Sequence, residues 1–217
     1  MLVGDELYIP LADPGWIRPA PAPENLRVRL SCDVTIGRDA IHIRYQIANE
    51  TDRRYVVFNQ LSPEAVNPAG VVQVDFNGAA LVLSKQILPR PRHVHVTDNI
   101  PLQSLLEPGG VLTDHISVPL PAKVNNSVRH SWLASRSGGT RRYAPARPRR
   151  TERVTLIIGI LEVRPGTLVY PSWQGPGIYG VQGVDEEEEQ IALSRTITLP
   201  EPIEILDLAE VPGAAGR

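Results

Sequence analysis

From residue 26 to residue 35, apolar and polar side chains alternate without a break. Leu26, Val28, Leu30, Cys32 and Val34 fall on one side, and Arg27, Arg29, Ser31, Asp33 and Thr35 on the other. Successive side chains of an extended chain point to opposite faces, so a period of two predicts a strand with one buried and one wet face. Gly37, Arg38 and Asp39 then supply a turn. Ile41, Ile43, Tyr45 and Ile47 resume the alternation against His42, Arg44 and Gln46. Two such runs joined by a short polar turn predict a hairpin.

The pattern recurs along the chain. Asn77-Gly78 separates β-prone runs at 71–76 and 79–87 and predicts a hairpin with both turn residues at positive φ. Residues 55–58 and 93–97 read as short strands, and Glu107-Pro108-Gly109-Gly110 as a tight turn opening a strand at 111–118. The run VTLIIGILEV at 154–163 is apolar on both faces, which places it inside a sheet. Gly159 within it suits a bulge or a close backbone approach. Residues 167–170 are expected to return on that strand through the turn Arg164-Pro165-Gly166. Ile191, Leu193, Ile197 and Leu199 form a late strand with Arg195 at its rim, and residues 203–206 pair at an edge. Residues 99–106 suit one helical turn, and no segment carries the period of an amphipathic helix.

The chain has 217 residues, of which 21 are proline and 17 glycine, and this spread of breakers favours short strands and turns. The expectation is all-β: an immunoglobulin-like antiparallel β-sandwich with long loops, or alternatively a jelly-roll or cupin-like barrel. A proline-rich arm (1–25) precedes a single sandwich domain (26–210), and a flexible tail (211–217) follows. The stretches IHIRYQIANETDRRYVVFN and LEPGGVLTDHISVPLP resemble strand-turn-strand regions of immunoglobulin-like modules. That resemblance implies a fold and assigns no functional residue.

Charge and cysteine content bound the function. A net charge of −2 makes nucleic acid an unlikely partner. Cys32 is the only cysteine, so no intrachain disulfide and no thiolate zinc site can form. Its place on the apolar side of the first run makes it a core residue. No apolar stretch is long enough to span a membrane as a helix. The opening MLVGDELYIPLADPG lacks the basic start of a signal peptide, and the expected location is cytoplasmic.

Four features carry functional candidates. Residues 122–153 form a long loop bearing Arg136, Arg141, Arg142, Arg147, Arg149, Arg150 and Arg153, with Glu152 as its only acid. Guanidinium forks bind carboxylates and phosphates, so the loop is either a docking surface or a solvated insertion. Asp185 and the four glutamates after it read as an exposed solubilising loop or a partner for those arginines. His93-Val94-His95, with Asp98, Asp114 and His115, puts two imidazoles on one strand face. The pair is similar to a cupin metal motif and to copper–zinc superoxide dismutases, although the cupin glutamate after it is missing. Residues 170–179 hold Tyr170, Trp173 and Tyr179 among prolines and glycines, and either present flat rings to a partner or cap the core.

No nucleophile elbow, phosphate loop or dinucleotide fingerprint occurs. The leading expectation is therefore a non-catalytic protein-binding or scaffolding module with no cofactor. Its contacts run through Arg141, Arg142, Arg147, Arg149, Arg150, Trp173 and Tyr179, and its partner is another protein. The alternatives are a metal-dependent enzyme built on His93, His95 and His115, and a structural subunit of a homo-oligomer or larger assembly.

Overall fold

The computed structural model describes residues 16–17, 20–61, 70–87, 90–91, 101–124 and 147–207. The early strands are β1 (Trp16–Ile17), β2 (Ala20–Pro21), β3 (Val28–Ile36), β4 (Ala40–Asn49), β5 (Tyr55–Gln60), β6 (Gln73–Phe76), β7 (Leu81–Lys85) and β8 (Arg90–Pro91). Then come β9 (Leu102–Leu106), β10 (Val111–Pro119), β11 (Ala122–Lys123), β12 (Arg147–Glu162), β13 (Leu168–Pro171) and β14 (Tyr179–Gln182). One helical turn, α1 (Glu186–Glu189), precedes β15 (Ile191–Asp207).

The opening alternation forms the hairpin it predicts. β3 and β4 pair antiparallel from Val28↔Asn49 to Ile36↔Ile41, and β10 takes the other edge of β4. Ile41, Ile43, Tyr45 and Ile47 are buried while His42, Arg44 and Gln46 are exposed. This three-stranded sheet shares one apolar core with a ten-stranded sheet. The long sheet contributes Val154, Leu156, Ile158 and Ile160 of β12, with Val57, Leu81 and Leu83. The other face of its central strands is apolar too. Val56, Phe58, Leu161, Ile87 and Val181 form a second, smaller core there. β5 is thus buried on both faces, as is the far half of β12, which explains why their sequences do not alternate.

The long sheet is mixed where an antiparallel one was expected. β7 runs parallel to β12, and β2 and β11 run parallel to β15. β7 and β5 share one edge of β12 end to end: Lys85 pairs with Ile158, and Phe58 with Gly159. That occupancy corrects the expected return of residues 167–170 onto β12. The turn forms, with the Thr167 N–H donating to Arg164 O at 2.9 Å. However, Tyr55 of β5 already pairs with Glu162, so β13 pairs with β14 instead.

Other expectations change for similar reasons. Residues 102–106 form a strand, β9, because β5 and β14 offer backbone partners on its two sides. Residues 203–206 are not at an edge: β15 is one continuous strand, flanked there by β12 and β11. Its Pro200 and Pro202 fall where the register jumps from Thr151↔Ile203 to Arg153↔Thr198, and a bulge accepts residues that lack an N–H.

The Asn-Gly turn sits one residue later than expected. Asn77 N–H donates to Ala80 O at 3.3 Å, so Gly78 and Ala79 are the central pair. Gly78 takes φ 86°, and the Asn77 side chain caps the turn by accepting from the Ala79 and Ala80 N–H groups. The expected strand at 93–97 lies outside the described residues.

Both ends of the expected arginine-rich loop belong to strands. Ala122 lies in β11 and is buried in the main core, as is Val124 just after it. Residues 147–153 are the first half of β12, with Arg150 opposite Glu204 in β15. A polar segment extends a strand when its neighbour supplies the ladder and opposite charges face each other across it. Arg136, Arg141 and Arg142 lie outside the described residues.

Candidate functional site

One hairpin holds the aromatic candidates. β13 and β14 pair from Leu168↔Gln182 to Pro171↔Tyr179, and the loop between them is tied by its own hydrogen bonds. Ser172 N–H donates to Ile178 O at 2.8 Å, and Gln174 N–H donates to Ser172 Oγ at 3.2 Å. Gly177 takes φ 75°, which a side chain would resist. The Trp173 ring does not cap the core: it is 93% exposed. Leu168 and Tyr170 share one face of β13 and are also exposed, whereas Val169 between them packs into the second core.

Tyr170 is positioned by an absence. It pairs with Gly180, where a Cβ would lie 2.7 Å from the ring, so the ring rests on bare backbone. Tyr179 is half-buried on β14, opposite Gln103 of β9. Residues 165–184 contain no charged residue and no histidine.

The arginine candidates sit elsewhere. Arg149 and Arg150 are exposed on β12, separated from the aromatic hairpin by β5 and β9 in the sheet order. Arg149 lies over the Phe76 ring, 5.9 Å from its centre, a cation–π contact that holds its stem against the sheet. Arg150 and Arg153 line a depression of about 430 Å³ beside the bulge, together with Thr151, Glu152 and Thr198. Arg147 is within β12, and its side chain lies outside the described residues.

A buried charged cluster bridges the two sheets, and no sequence reading pointed to it. Lys85, at the end of β7, is only 4% exposed. Its ammonium donates to Asp114 Oδ2 at 2.8 Å and to Asn59 O at 2.7 Å, and it lies 5.5 Å from the centre of the Tyr45 ring. Tyr45 OH donates to the same Asp114 oxygen at 2.8 Å. Burial pushes the lysine down from its ordinary range, and the Asp114 carboxylate opposes that shift. Burial likewise pushes the Tyr45 phenol far up, with Asp114 adding to the effect. The signal available was thin: a lysine ending an apolar strand, and an aspartate on a strand whose register was unknown. The packing of the two sheets over one core brings them together, and the end-to-end meeting of β7 and β5 adds the Asn59 carbonyl.

The acidic run is a capped helical turn and not an exposed loop. Asp185 Oδ1 accepts from the Glu187 and Glu188 N–H groups at 3.1 Å each. Glu189 pairs with Arg164 at 2.8 Å. Glu186 turns inward and accepts from the Gln103 side chain. Burial raises its carboxyl above the usual range, the Gln103 bond lowers it, and Glu187 and Asp185 raise it further. The depression beside this turn, about 760 Å³, presents Asp185, Glu186, Glu187 and Glu189 around Ile87, Gly183 and Val184.

Of the histidine candidates, His93 and His95 lie outside the described residues. His115 points to solvent, and its neighbour Asp114 is engaged with Lys85 and Tyr45. Among the described residues no group of three or more His, Cys, Asp or Glu side chains is placed to hold a metal ion. No helix among them is long and apolar enough to cross a membrane.

Comparison with family models, with curated proteins and with solved structures found no match to this chain.

Proposed function

We propose that the chain is a non-catalytic protein-binding module, an immunoglobulin-like sandwich frame that carries its contact residues on the β13–β14 hairpin. The single observation behind this reading is Trp173, 93% exposed at the tip of a hydrogen-bonded loop. Leaving an indole in water forgoes about 1.5–3 kcal/mol of burial, and buried aromatic anchors commonly dominate protein interfaces. The order of the loop lowers the entropy a partner must remove. Arg149 and Arg150, on opposite faces of β12, add two separate charged contacts, suited to carboxylates of the same partner or another one.

The test is capture of binding proteins by the full chain from its native cells, set beside Trp173→Ala and the double replacement of Arg149 and Arg150 by Ser. A protein retained by the native chain and lost with Trp173→Ala, at unchanged thermal stability, is the expected result. Equal capture by both would remove the hairpin from the account.

A further inference from the structure

Three of the four large apolar side chains that stand exposed among the described residues, Leu168, Tyr170 and Trp173, belong to one hairpin. That hairpin ends the ten-stranded sheet: β13 has β14 on one side and no other strand partner among the described residues. An edge strand with an apolar face is a template for another strand. Natural edges are usually blunted by lysines or inward charges, and residues 165–184 contain no charge at all.

We propose that β13 pairs antiparallel with β13 of a second copy of this chain, joining two ten-stranded sheets across a two-fold axis. This rests on the reading of the hairpin as a contact surface, and names its occupant. The charge pattern favours a copy. Across a two-fold axis the same patch meets itself, so any charge close to the axis would face its own like, and this patch has none to repel. Backbone chemistry sets the register. Pro171 has no N–H to donate, and the Ser172–Ile178 hydrogen bond fixes an alternation in which Leu168 and Tyr170 bond to β14. The ladder therefore rests on Val169, whose N–H and C=O face the open edge. Centring it on Val169 brings Leu168 of each copy opposite Tyr170 of the other, an aliphatic–aromatic cross-strand pair. Tyr170 is already flattened on Gly180, so its ring is held before the second copy arrives.

The experiment is a sedimentation series on the full chain from micromolar to near-millimolar concentration, beside Leu168→Lys. Leu168 is 57% exposed, so the variant keeps its fold, checked by circular dichroism and thermal midpoint. The native chain is expected to move from its single-chain mass of 23.8 kDa to twice that value, with the Val169 amide exchanging more slowly at high concentration. Leu168→Lys should weaken the dimer roughly tenfold or more. A native chain that stays at single-chain mass throughout overturns the proposal, as does a dimer indifferent to Leu168→Lys. Neither result touches the partner capture with Trp173→Ala, so the pairing can fail while the hairpin remains a contact surface for another protein.

Discussion

Gln190 holds the backbone of Ile87 at both of its polar groups: its Oε1 accepts the Ile87 N–H at 2.9 Å, and its Nε2 donates to Ile87 O at 3.1 Å. Both residues are buried. The side chain passes through space that exists only because residue 159 is glycine; a Cβ there would lie 2.1 Å from Oε1 and 2.9 Å from the Phe58 ring. Gln190 O in turn accepts the Ala20 N–H, so one residue ties the amino-terminal segment, β15 and the end of β7 together. Gly159→Ala should therefore cost about 3 kcal/mol, at the upper end of overpacking. Gln190→Ala, which strands two buried backbone groups, should cost about 2–4 kcal/mol. Urea unfolding of both variants checks this, and a loss under 1 kcal/mol, roughly the scale of a typical surface change, would contradict the clamp.

The Lys85–Asp114 pair should be asymmetric. Removing Asp114 leaves a buried ammonium with one carbonyl, whereas removing Lys85 leaves a carboxylate that still has Tyr45 OH and partial access to water. Asp114→Ala is expected to cost about 3 kcal/mol and Lys85→Met about 1 kcal/mol. Equal losses in denaturant titrations would show that the two side chains are not coupled in this way.

Glu186 gives a pH dependence of defined sign. Its carboxyl is raised in the folded protein, chiefly by burial. Its contribution to stability is thus complete below the unfolded value and is lost as pH rises through the folded one. Glu186→Gln should melt higher than the native chain near neutral pH, and the difference should close as pH falls towards about 4. A variant that melts lower at neutral pH would reverse the assignment.

Cys32 should be slow to alkylate. Burial pushes its thiol up to about 11, and Arg195 lowers it only in part. At mildly alkaline pH its thiolate is then roughly a hundredfold scarcer than that of an ordinary thiol. Alkylation rates in native and urea-unfolded protein measure this directly; equal rates would place the thiol in water.

The alternation of residues 26–35 and 41–47 determined a hairpin and its buried face, because side-chain direction in a strand follows from spacing alone. Gly159 announced a close approach, and Trp173 and Tyr179 marked the hairpin that carries the exposed rings. What spacing cannot encode is which strand lies beside which. Whether residues 147–153 are loop or strand depended on β15 offering a ladder and Glu204 facing Arg150. Whether residues 167–170 returned to β12 depended on β5 having taken its edge. Lys85 and Asp114 lie on different strands in different sheets and meet only because the two sheets pack face to face over one core. Local periodicity acts over a few residues and is written in the chain. Pairing is a competition among distant segments for the same backbone hydrogen bonds, and the tertiary structure alone resolves it.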